Sequence, residues 1–123
     1  MSKRVLDVGQ CSPDHFSIRR LLESRFAATV VQAHGLTDAL AELRREPVDL
    51  VLINRKLDAD YSDGMEILAA IKADAALAGV PVMLVSNYAD AQAAAVAAGA
   101  LPGFGKAELS RPETAAKLRA VLG

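Results

Sequence analysis

Three polar residues close three strand-like runs in this chain of 123 residues: Asn54 after Val48–Ile53, Ser86 after Val80–Val85, and Lys106 after Leu101–Gly105. An amide, a hydroxyl and an ammonium gathered at strand ends could bond to one another as a hydrogen-bonded cluster. They could equally hold a small anion at Lys106. The rival reading leaves them as solvated strand-end residues with no common role. Asp58, Asp60 and Asp63 lie in the polar loop from Arg55 to Ser62 and just beyond it. Three carboxylates could bind calcium, but nothing else nearby supplies the six or more oxygens that ion takes. A solvated acidic loop, with Asp63 near a helix start, is the simpler reading. Cys11 has no second cysteine to resolve an oxidised form, so it reads as a small loop residue. His15 and His34 lack metal-ligand spacing and read as surface residues.

The elements that must position these groups follow from hydrophobic pattern. Strand-like runs alternate with helical patterns five times, which implies a parallel sheet covered on both faces. The strands are expected near Arg4–Val8, Ala28–Ala33, Val48–Asn54, Val80–Val85 and Leu101–Gly105. Pro81 is tolerable at the start of the fourth, and Pro102 marks the fifth as a sheet edge. Ser12-Pro13-Asp14 opens the first helix, to about Arg25, and Thr37 caps a second to about Arg45. The third runs from Met65 to about Ala73, and an alanine-rich fourth ends at Gly99. Ser110 and Glu113 have the spacing of a capping box before a last helix to about Leu122. Ligands in open α/β sheets collect outside the carboxyl ends of the strands, where Asn54 stands. Asp7 is out of place in a strand of this kind. It either pairs with Lys106 or another cation beneath the pocket, or sits partly wet in an irregular strand start.

Size and composition narrow the function classes. One domain with one core fits the length, and a net charge of −1 gives no bulk attraction for nucleic acid. No apolar run approaches the roughly 20 residues of a membrane span. A lone cysteine suits a reducing compartment, and Met1 to Val5 leaves no room for a signal peptide. The expectation is a cytoplasmic domain with no membrane contact.

The chain resembles the receiver domains of response regulators, the phosphoacceptor modules of two-component signalling and phosphorelays. The resemblance spans essentially the whole chain. It rests on Val48–Asn54, on Asp63-Gly64-Met65-Glu66-Ile67-Leu68, on Val80–Ser86, and on Ala98-Gly99-Ala100 followed by Lys106. It implies an α/β fold of the flavodoxin-like receiver type: one doubly wound five-stranded parallel sheet, order 2-1-3-4-5, with five helices, three on one face. It also implies a phosphoacceptor aspartate at the end of strand three and an acidic pair after strand one, jointly binding magnesium. A carboxylate can be both the anionic nucleophile and a hard-cation ligand, and the metal neutralises the transferring phosphoryl.

Here Asn54 stands at the acceptor position and Gly9 and Gln10 at the acidic pair. Neutral groups neither attack phosphorus nor build a magnesium site, so no cofactor is expected. Ser86 and Lys106 are the retained pocket residues. The loop after Asn54 is about two residues longer than the family pattern, with Asp58 in place of its proline. Asn87 is bulkier than the usual residue, and Ala107 replaces the proline after Lys106. The position of the family's aromatic switch falls on Gly103, with Phe104 one residue out of step. Without a phosphoryl group Lys106 needs a fixed partner: the Asn54 oxygen, a backbone carbonyl or Asp7.

The resulting expectation is a pseudo-receiver, not an enzyme, held in one state by Asn54, Ser86 and Lys106. It acts as a protein-interaction module through its fourth helix, fifth strand and fifth helix, at Ala93, Val96, Leu101, Phe104 and Leu118. The partner is a protein or a second copy. A different class of function would use Asp58 or Asp60 as a displaced phosphoacceptor.

Overall fold

In the computed structural model, which describes residues 3–123, five strands and five helices alternate along the chain. The strands are β1 (Lys3–Val8), β2 (Ala28–Ala33), β3 (Leu50–Asn54), β4 (Val82–Val85) and β5 (Leu101–Phe104). They form one parallel sheet in the order β2-β1-β3-β4-β5. The helices are α1 (Ser12–Arg25), α2 (Leu36–Arg45), α3 (Met65–Ala73), α4 (Ala89–Ala97) and α5 (Pro112–Leu122). This is the flavodoxin-like receiver architecture that the alternation and the resemblance imply.

Side-chain alternation sorts the core into two layers. Val5, Leu50, Leu52, Met83, Val85 and Phe104 face Ile18 and Leu22 of α1 and Leu118 and Leu122 of α5. Leu6, Val8, Val51, Ile53 and Leu84 face α2, α3 and α4 through Leu43, Ile67, Leu68, Ile71 and Ala95. Asp7, between Leu6 and Val8, falls on the α1/α5 side with Val5. In register it lies between Gln32 of β2 and Leu52 of β3. The helix starts shift slightly from the sequence reading. Thr37 does not cap α2; Gly35 precedes it, and the Asp38 carboxylate accepts the His34 and Gly35 N–H groups, each at 2.8 Å. The Ser110–Glu113 box does not form either. Pro112, with fixed φ and no N–H, opens α5 behind Arg111. Glu108 accepts the Gly105 N–H instead, at 2.7 Å.

The last strand pair is irregular. β4 and β5 align at Met83–Leu101 and Val85–Phe104, so β5 carries one extra residue between them. At the other end of the site, Gly64 brings the start of α3 directly against β3. A Cβ there would strike the Asn54 carbonyl and lie 2.7 Å from the Ile53 side chain. Gly64→Ala is therefore expected to cost about 1–3 kcal/mol, the usual range for overpacking. Urea denaturation of the pair should show it; equal midpoints would mean that α3 can shift freely away from β3.

Candidate functional site

The carboxyl ends of β3 and β4 and the turn after β5 open into a depression lined by Asn54, Arg55, Lys56, Ser86, Asn87, Tyr88 and Lys106. The pocket residues meet there, but not as the bonded cluster expected. Asn54 donates its amide hydrogens to the backbone carbonyls of Gly9, at 3.0 Å, and Lys56, at 2.7 Å. The Ser86 hydroxyl oxygen accepts the Tyr88 N–H at 3.2 Å. Lys106 bonds none of the three partners proposed for it. Its ammonium lies 2.8 Å from the Asp14 carboxylate, in the first turn of α1. The reason is reach: Lys106 follows β5 in a single 3-10 turn (Lys106–Glu108) and points across to α1, while Asn54 turns toward its own loop. Lys106 in turn holds the Asp14 carboxyl below its ordinary range.

The longer loop after β3 explains where Asn54 points. Lys56 bridges antiparallel to Asp63, and the Leu57 N–H donates to the Ser62 carbonyl at 2.9 Å. The Asp58 N–H reaches the Gly9 carbonyl at 3.0 Å. This miniature hairpin drives Leu57 inward until it is buried against Gly9. Gly9 has φ +79°, in the region that favours glycine, and any Cβ there would collide with the Leu57 side chain. An apolar side chain thus stands over the position where the resemblance places the first of the acidic pair.

Two of the three loop aspartates serve local backbone. Asp60 accepts from the Ser62 N–H and hydroxyl, at 2.9 and 2.6 Å, and these bonds lower its pKa. Asp63 accepts the Met65 N–H at 2.9 Å. Asp58 has one oxygen 3.5 Å from His34 and the other buried without a protein partner. Among the described residues no group of three or more His, Cys, Asp or Glu side chains is placed to hold a metal. Magnesium does not fit the residues present: Asn54 offers hydrogens to carbonyls, and Leu57 covers Gly9.

Asp7 is fully buried, not partly wet, and its partner is His15. The His15 Nδ1 lies 2.7 Å from its carboxylate, and the two groups share one hydrogen. His15 is accordingly only 13% exposed, against the surface position expected for it. Nothing in its spacing along the chain signals a metal site; the signal was the pairing of an odd strand carboxylate with a histidine on the first turns of the next helix. Gln10 is also fully buried, and neither end of its amide meets a protein partner in hydrogen-bond geometry. Burial pushes Asp7 up to about 6, while His15, the nearby Gln10 amide and the charge of Lys106 pull the other way.

On the surface formed by α4, β5 and α5, Val96 and Leu101 are exposed, at 44% and 40%, and Ala93 is exposed beside them. Phe104 and Leu118 are not part of that surface. Both are buried in the layer against α1: the extra residue in β5 brings Phe104 into register with Val85, and Leu118 lies on the inner face of α5. Tyr88, 67% exposed, was overlooked in the sequence and belongs to this face.

The sign of the Asp7 effect on stability is opposite to that of most carboxylates. Its folded pKa, about 6, exceeds its ordinary value of 3.8. The folded state binds more protons, so the contribution is fully present below the ordinary value and lost as pH rises through about 6. The loss amounts to about 3 kcal/mol at most, on the scale of 1.36 kcal/mol per pH unit. Asp7→Asn still accepts the His15 hydrogen through its side-chain carbonyl. The variant is expected to be more stable than the wild type near neutral pH, with the difference vanishing toward about pH 4. Denaturation of both proteins across that range checks it; a difference independent of pH would contradict the buried charge.

Residues 14–119 match the family model described as "Response regulator receiver domain". Solved structures repeat the fold along the whole chain. The chain superposes on NtrX from Brucella abortus with a TM-score of 0.79 at 19% identity, covering 99% of this chain and 27% of that one. A putative response regulator from Chloroflexus aurantiacus gives 0.79 at 15% identity, with 99% and 98% covered. The chemotaxis protein CheY4 of Vibrio cholerae gives 0.77 at 19% identity, with 99% and 100% covered. No curated protein sequence matches the chain significantly. The family model covers most of the chain, and the five-stranded order and helix placement agree with it throughout: the chain belongs to the response regulator receiver domain family.

Proposed function

We propose that this receiver domain takes part in two-component signalling as a protein-interaction module that carries no phosphoryl group. The observation that carries the reading is the direction of the Asn54 amide. Both of its hydrogen-bond partners are carbonyl oxygens, Gly9 and Lys56, so the position requires a donor. A carboxylate there would set negative oxygen against two acceptors. The buried Leu57 over Gly9 supports the same reading, because it occupies space next to the strand end that an acidic side chain would need. The domain is accordingly neither an enzyme nor a magnesium protein in this proposal.

The docking surface is the face of α4, β5 and α5. Tyr88, Val96 and Leu101 project from it, and Ala93 between them lets a partner helix approach closely. Its occupant is a protein, either a second copy or another component of the signalling pathway, in the cytoplasm. Nucleic acid is not proposed as a partner, since the net charge is −1. Among the described residues no helix is long and apolar enough to cross a membrane. Two rival sites are already engaged. Asp60 is committed to Ser62, and Lys106, the cation that would hold a free anion, is already neutralised by Asp14.

Incubation with acetyl phosphate and magnesium, followed by intact mass, is expected to leave the wild type unmodified. A phosphoryl adduct mapped to any aspartate would overturn the proposal. Asn54→Asp is expected to remain unmodified as well, and to lose about 1–3 kcal/mol of stability, the range for breaking bonds to partly buried groups. Phosphorylation of that single variant at the rate of ordinary receivers would show that the missing metal ligands do not matter. Lys106→Ala should cost less than about 1 kcal/mol, because both members of its ion pair are about one-third exposed.

A further inference from the structure

Gln92, on α4, lies at the irregular junction of β4 and β5, and its amide is fully engaged by backbone. Its Nε2 donates to the Leu84 carbonyl at 2.9 Å and to the Ser86 carbonyl at 3.2 Å. Its Oε1 accepts the Gly103 N–H at 3.0 Å. From the other side Lys117, on α5, donates to the Gly103 carbonyl at 2.8 Å. Both polar groups of one glycine backbone are thus held by side chains from two different helices.

We propose that Gln92 and Lys117 form a fixed clamp on the backbone of Gly103, which makes α4, β5 and α5 one rigid unit presented in a single state. The inference rests on the reading of this face as the docking surface, and deepens it. Gly103 is the position that the resemblance assigns to a mobile aromatic side chain. The clamp and such a side chain exclude one another. A Cβ on Gly103 would collide with the Leu84 carbonyl and lie 3.0 Å from the Gln92 Oε1. The neighbouring aromatic cannot substitute for it, since Phe104 is buried in the opposite layer. Gln92 also fills the gap that the extra residue opens in the ladder, bonding β4 and β5 together where they fail to bond directly. Movement of α4 relative to β5 must break these bonds at once. A switch requires two arrangements of closely balanced free energy, and a partly buried amide making three bonds between the two strands removes that balance.

Amide hydrogen exchange by NMR on the whole chain tests the clamp, with Gln92→Met and Lys117→Met filling the same space without the bonds. The Gly103 amide is expected to be protected in the wild type. It should lose protection by about tenfold or more in Gln92→Met, and by about threefold or more in Lys117→Met, while β1, β2 and β3 change by less than about twofold. The Gln92 side-chain amide hydrogens of the wild type should exchange more slowly than those of exposed glutamines. Unchanged Gly103 protection in Gln92→Met, or an equal loss throughout the sheet, would overturn the clamp. So would wild-type Gln92 hydrogens that exchange like exposed ones. Phosphoryl labelling by acetyl phosphate bears on the pocket alone, so the two readings fail separately.

Discussion

The hydrogen bonds from Asn54 to the Gly9 and Lys56 carbonyls set the form of the whole strand-end region. They fix the end of β3 against the end of β1 and against the start of the loop that follows. That loop then closes on itself through Lys56 and Asp63 and turns Leu57 into the core beside Gly9. Asparagine can do this because its side chain donates while keeping the size of an aspartate. The substitution is therefore more than the loss of a charge. An asparagine supplies a donor where an aspartate would supply an acceptor, and the Gly9 and Lys56 carbonyls both take that donor.

Charge has been redistributed around this brace. In the sequence the pocket looked short of carboxylates, with Lys106 left facing neutral groups. In the folded protein Asp14 reaches it from α1, and a second carboxylate, Asp7, is buried one layer below with His15. Two acid–base pairs thus tie β1, α1 and the turn after β5 together. One is partly exposed and worth little by itself; the other is buried and costs free energy to keep charged.

How much was legible depended on whether a local pattern or a tertiary contact decided the matter. The parallel sheet was readable because Leu50-Val51-Leu52-Ile53 and Val82-Met83-Leu84-Val85 are continuous apolar runs, as strands buried on both faces must be. The resemblance alone assigns Gly9, Gln10 and Asn54 their positions, and nothing in the sequence says what covers them. Leu57 in a loop full of aspartates looks like a stray apolar residue until the loop folds over Gly9. Asp14 and His15 are adjacent in sequence, yet one faces Lys106 and the other Asp7, which only the position of α1 on the sheet determines. Phe104 was misplaced onto the surface for a related reason. An extra residue in a short strand reverses the side-chain direction that a simple count along it gives.

The last strand has a consequence for association. A terminal strand normally displays a row of unsatisfied amides and carbonyls that another chain can extend into a longer ribbon. In β5, Pro102 has no N–H to offer, and both backbone groups of Gly103 are already taken by Gln92 and Lys117. The middle of β5 is thereby blunted as a template for ribbon growth. A partner that binds this side of the molecule must recognise it through projecting side chains, and the domain can present apolar residues there without seeding amyloid-like stacking.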